Sequence, residues 1–179
     1  MNRDIFEDSK SKAAAAALKL GFAHQKLGVK AVNETPLGSV VAAPKPEDRE
    51  LFCRNGLKWS AKIPRSKILS ALREIQIHRA SIRRGKYGSD SGIILAMELD
   101  LAARMAEQSC KYMLWQQAVA AGKGAEAKAL AKQGIKELQC LEKDFNACWP
   151  LRNKATTKHC SPFLQWRIQE LRKGIKREH

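Results

Sequence analysis

From Ser89 to Trp149 apolar residues return at every third or fourth position, break off once at Gly122-Lys123-Gly124, and then return at the same spacing. Ile94, Met97, Leu101, Met105, Tyr112 and Trp115 form the first series, which continues to Val119. Ala127, Leu130, Gly134, Leu138, Leu141, Phe145 and Trp149 form the second. Residues so spaced share one face of an α-helix. The stretch therefore predicts a helix over about 90–121, a turn at the glycines, and a return helix over about 125–149. Two helices of matching length joined by so short a turn bury their stripes against each other, so an antiparallel helical hairpin is the natural packing.

The flanking segments carry the same period. Ala13–Ala17, then Leu18, Leu20, Phe22 and Leu27, predict a helix over 8–27 that starts at Ser9 or Ser11 and stops at Gly28. Pro64 opens a helix over 65–83 with Ile68, Leu69, Leu72, Ile75 and Ile82 as its stripe. Ser161-Pro162 places a capping serine before a proline at the first helical position, and starts a helix over 162–176 with Leu164, Ile168, Leu171 and Ile175. Between about 29 and 63 the texture changes. Pro36, Gly38, Pro44 and Pro46 read as an irregular loop pinned by Val32, Leu37, Val40 and Val41, with a short helix at Glu47 to Cys53. No segment alternates as a strand does. The expectation is an all-α helical bundle, one domain over 1–179.

Charge is concentrated. The 33 basic and 18 acidic residues give a net +15; residues 54–86 supply +9 and 152–179 supply +6, so everything else balances to zero. Such clustering fits a polyanion partner, a solvated face, or a surface meeting an acidic neighbour. No apolar run is long enough to span a bilayer, so no membrane is expected as a partner. The five cysteines, Cys53, Cys110, Cys140, Cys148 and Cys160, are odd in number and contain no Cys-x-x-Cys pair. They read as reduced thiols of a cytoplasmic protein.

Chemistry is hard to place on this pattern. Glu98 and Asp100 are a tempting carboxylate pair, yet two residues apart on a helix they point to different faces, and helix-surface charge accounts for them better. His159 and Cys160, with Cys148 nearby, lack the second close pair that a tetrahedral metal site needs. Gly85-Lys86-Tyr87-Gly88-Ser89 and Gly122-Lys123-Gly124 lead into helices, but neither has phosphate-loop spacing nor follows a strand. No catalytic, cofactor or metal residue is expected. Arg65, Lys67, Arg73, Arg79, Arg83, Arg84 and Lys86 make a basic helix able to meet nucleic acid through phosphates. It lacks interleaved aromatics for stacking single strands, and the long helices do not match a helix-turn-helix.

The stretch 145–167, FNACWPLRNKATTKHCSPFLQWR, gathers two tryptophans, a proline and an Arg-Asn-Lys triplet. Phe145 and Trp149 continue a buried seam and Pro150 bends the chain. Arg152 and Asn153 are placed to donate to the carbonyls that a helix end leaves open, and Phe163 or Trp166 to fold back onto Trp149. We read it as a knot between helices.

Three segments, LKLGFAHQKLGVKAVNETPLGSV (18–40), MELDLAARMAEQSCKYML (97–114) and LEKDFNACWPLRNK (141–154), together resemble the helical region that follows the catalytic barrel in β-N-acetylhexosaminidase-like proteins of glycoside hydrolase family 20. The last carries the Phe-x-x-x-Trp-x-x-Arg-Asn-basic ending as Phe145, Trp149, Arg152, Asn153 and Lys154. The chain departs from the pattern at Ala155-Thr156-Thr157, where the family has Gly-Leu. The resemblance implies a detached C-terminal helical domain whose partner is a catalytic barrel or a second copy of itself. The family's catalytic Asp-Glu pair lies in the barrel, so no catalytic residue carries over. Two functions follow as expectations: a non-catalytic packing and interaction domain or, alternatively, a standalone basic module binding nucleic acid.

Overall fold

The computed structural model describes residues 6–7, 12–29, 35–42, 60–153, 156 and 161–176. Among them the regular structure is helical and no strand occurs. The helices are α1 (Ala13–Phe22), α2 (Pro36–Ala42), α3 (Arg65–Arg83), α4 (Asp90–Ala120), α5 (Gly124–Cys148) and α6 (Pro162–Lys176). Short 3-10 turns at Ala23–Leu27, Ser60–Lys62 and Trp149–Leu151 join or extend them. The all-α expectation holds.

Local chemistry explains the boundaries. The Pro64 carbonyl accepts from the Lys67 and Ile68 amides to start α3. Ser89 caps α4, its hydroxyl accepting from the Gly92 amide at 3.1 Å. Gly122, in the left-handed conformation at φ +65°, reverses the chain into α5. The predicted starts at Ser9 or Ser11 and the short helix at 47–53 lie outside the described residues.

α4 is the hub, with α2, α3 and α5 packed around it. Lys111 pairs with Glu137 and Arg104 with Asp144, so partners on α5 fall in number as those on α4 rise. α6 lies against α5 and α2, and α1 lies on α3. The core runs through Leu27, Val40, Ile68, Ile75, Met113, Leu138, Leu141, Leu164 and Ile168. Burying one aliphatic side chain of this size contributes about 1.5–3 kcal/mol, and α6 supplies Leu164, Ile168 and Leu171 in this way. No helix among the described residues is long and apolar enough to cross a membrane.

Four expectations need correction. First, Pro36 does not break structure; it opens α2, because proline lacks only an amide that a first-turn residue does not use. Thr35 caps it, taking the Gly38 amide on its hydroxyl at 3.1 Å. Second, α1 turns alanines inward: Ala13 and Ala16 are buried, as is Ala23 in the turn that follows, while Leu18 and Phe22 face solvent. Third, Leu69, Met97 and Val119 are exposed rather than in their stripes. α4 has neighbours on several sides, so its interior face is broad and includes Glu107, Gln108 and Ser109. Fourth, Phe163 packs edge-on against Phe145 (6.2 Å, 86°), which itself stacks on Trp149, and Trp166 is 39% exposed.

Candidate functional site

α3 and α5 splay apart across α4 and leave a cleft whose floor is α4. One end is apolar, about 390 Å3, lined by Ile82, Tyr87, Ile93, Met97, Leu101, Ala147 and Cys148. Arg83, Asp100, Arg104 and Asp144 belong both to this end and to a polar end of about 630 Å3 that adds Arg79, Glu107, Lys136, Glu137 and Cys140.

The charges in the middle are largely engaged with one another. Arg79 of α3 donates to Asp100 at 2.7 Å and to Glu107 at 3.2 Å, both on α4. Arg104 pairs with Asp144 of α5 and lies 4.0 Å from Asp100. Lys111 meets Glu137 at 2.6 Å. Burial works against the Arg79 charge, but the hydrogen bond that Arg79 donates to Asp100 and the charge of Glu107 outweigh it and raise its pKa. Glu137 is depressed for the same reason: burial opposes ionisation, and Lys111, Gln133 and Gln108 overcome it. Around Cys148 burial acts first and the Glu98 charge second, lifting the thiol above its ordinary range and keeping it protonated. These are groups that hold helices together.

The sequence-predicted residues fall into three sets. Phe145 and Trp149 stack at 5.2 Å, and Asn153 donates to the Trp149 carbonyl at 3.0 Å, closing the end of α5 as the sequence suggests. Arg152 reaches elsewhere, to the Ser91 carbonyl at 3.1 Å and to Glu98 at 3.3 Å, and so ties the end of α5 to the start of α4. Lys154, His159 and Cys160 lie outside the described residues. Among the described residues no cluster of His, Cys, Asp and Glu is arranged to hold a metal.

The second set comprises cations with structural partners. Arg79 has the partners above, and Arg65 donates to Glu126 at 2.7 Å. Lys67 lays its chain over Gly28. The third set, Arg73, Arg83, Arg84 and Lys86, is exposed, with no carboxylate partner among the described residues. The two glycine segments act as helix boundaries, and the α4 and α5 first turns already carry Asp90 and Glu126.

Sequence reasoning missed the cleft itself and the Arg104–Asp144 link, since pairs forty residues apart leave no periodic trace. It also missed a polar cluster on the other side of α4. There buried Arg167 of α6 sits 3.9 Å over the Tyr112 ring, donates to the Val40 carbonyl at 2.6 Å, and pairs with Glu170. Ile93 and Met97, four apart and both exposed, were the available signal for the cleft.

No family model, curated protein or solved structure matches the chain, so these comparisons supply no link to glycoside hydrolase family 20.

Proposed function

We propose that the chain is a non-catalytic helical domain that works by packing against a partner. The observation that supports this is the cleft. Its apolar end is open beside exposed Ile93 and Met97, while Arg79, Arg104, Asp100, Glu107 and Asp144 are engaged in holding α3, α4 and α5 together. Large apolar side chains left in an open concavity favour association. The narrower form of the reading, in which the partner is a glycosidase barrel, rests on the sequence resemblance of residues 18–40, 97–114 and 141–154. The test is turnover of a chromogenic N-acetylglucosaminide by the purified chain. We expect none above buffer; turnover that disappears in Asp100→Asn or Asp144→Asn would overturn the reading.

The exposed cations of α3 and of the turn after it favour a second reading, a polyanion-binding module. Arg73, Arg83, Arg84 and Lys86 are solvent-facing, and phosphate contacts of this kind weaken steeply with salt. The right probe is a labelled duplex titrated across a salt series against the quadruple Arg/Lys→Glu variant at those four positions. Arg79 is left intact there, because reversing it breaks an interhelical ion pair. Binding that persists near physiological salt and is lost in the variant would support this second reading.

A further inference from the structure

We infer that the apolar end of the cleft, with the cationic corner beside it, binds an acidic protein segment carrying apolar anchors. This rests on the reading of the chain as an interaction domain and names the chemistry of its partner. Three observations converge at the corner between α3 and α4.

The first is shape. Ile82, Tyr87, Ile93, Met97 and Leu101 are among the residues lining an open concavity of about 390 Å3, with Ile93 46% and Met97 41% exposed. Apolar anchors from a partner helix or extended segment fit such a groove by the same rules that fill a core.

The second is charge. Asp100 and Asp144, the acidic residues lining this end, are already paired with Arg79 and Arg104. Arg83 lines the cleft, and Arg84 and Lys86 follow it at the exposed end of α3, with no carboxylate partner among the described residues. Beside them stand Glu7 and Asp90, which the cations Arg83, Arg84 and Lys86 outnumber, so the mouth keeps a net positive charge and an acidic partner is the complementary one.

The third is a contact within this chain beside the cleft. Tyr87 lines the cleft and also packs against Phe6 of this chain, with ring centroids 5.6 Å apart. Phe6 is fully buried, its carbonyl accepts from the Gly88 amide at 3.4 Å, and the Glu7 side chain lies over Gly88. Glu7 holds φ +48°, a conformation that a residue other than glycine rarely adopts. Tyr87 and Gly88, at the edge of the cleft, thus already meet an aromatic and an acidic residue of this chain. An acidic segment with apolar anchors brings the same two kinds of side chain to the cleft that Tyr87 also lines.

The probe is a fluorescein-labelled peptide of Glu, Leu and Phe with Leu and Phe four residues apart, titrated by anisotropy against the full chain. Two control peptides replace the anchors by Ala or the Glu residues by Lys. We expect the acidic anchored peptide to bind, and each control to bind at least about tenfold more weakly, a difference of about 1.4 kcal/mol. Met97→Lys and the Arg83→Glu/Lys86→Glu pair should each weaken binding to a similar extent. Both alter exposed side chains, and circular dichroism checks that the fold is kept. Binding indifferent to the anchors and to Met97→Lys would overturn the inference. So would a duplex that binds more tightly than the peptide at the same salt, or no binding of any peptide. Loss of peptide binding without glycoside turnover defeats this inference alone, whereas turnover defeats the domain reading beneath it.

Discussion

Replacing Arg79 by Met separates a structural cation from a recognition cation. The Arg79 side chain is 23% exposed, and its partners Asp100 and Glu107 are 22% and 9% exposed. Exposed ion pairs contribute about 0–1 kcal/mol, whereas removing one partner of a buried pair costs about 3–5 kcal/mol, because the other charge stays desolvated. This triad lies between those limits. Asp100 keeps Arg104 at 4.0 Å, so most of the loss falls on Glu107, and we expect Arg79→Met to destabilise by about 2 kcal/mol. Neutralising the stranded carboxylate relieves part of that penalty. Arg79→Met/Glu107→Gln should therefore recover about 1 kcal/mol relative to Arg79→Met.

The assay is urea unfolding followed by circular dichroism, in which a stability change moves the midpoint at constant slope. Arg73→Met is the control: the residue is exposed, and its substitution should fall within about 0.5 kcal/mol of wild type. The reasoning is refuted if Arg79→Met unfolds at the wild-type midpoint, or if adding Glu107→Gln lowers the midpoint further.

Three more outcomes follow from particular groups. Glu137 is held below its ordinary 4.5 in the folded state. Its ionisation therefore stabilises the fold above that value, and the contribution is lost as pH falls through the lower folded pKa; Glu137→Gln should flatten this acid-side decline in urea midpoint. Burial first, then the Glu107 charge, raises Cys110 to about 12, whereas Cys140 is exposed. An aromatic disulfide reagent with mass-spectrometric mapping should label Cys140 before Cys110 and reach Cys110 only on unfolding. Ser89→Ala removes the cap of α4 and should cost about 1 kcal/mol in the same urea assay.

Four helices were legible because their boundaries are local. Pro64, Ser89, Gly122 and Ser161-Pro162 each act within one turn, so α3, α4, α5 and α6 fall almost where the period and the caps put them. α2 was not legible, because Thr35-Pro36 reads equally as a turn or as a cap with proline behind it. What decides between them is tertiary: Leu37 and Val40 are buried, and Ser109 of α4 donates to the Leu37 carbonyl. The same distinction governs the charges. Net +15 says where cations are dense and nothing about which ones have partners, since Arg65 finds Glu126 and Arg79 finds Asp100 only once the helices have packed.

Misplacement of α4 residues points to the cleft. A stripe rule assumes one buried face, and α4 departs from it in opposite directions along its length. Towards its middle Glu107, Gln108 and Ser109 are buried, because α2, α3 and α5 press on it together and long-range partners satisfy the polar groups. Towards its start the stripe residue Met97 is left open beside exposed Ile93, where α3 and α5 splay apart. Folding favours burying such side chains by on the order of 1.5–3 kcal/mol each when burial is complete. The fold closes over Ile82 and Leu101 on either side of Met97 but leaves Met97 itself exposed. Where sequence pattern and packing disagree, function is one of the reasons a chain keeps the disagreement, and here the disagreement falls where the exposed apolar groove meets the cations of α3.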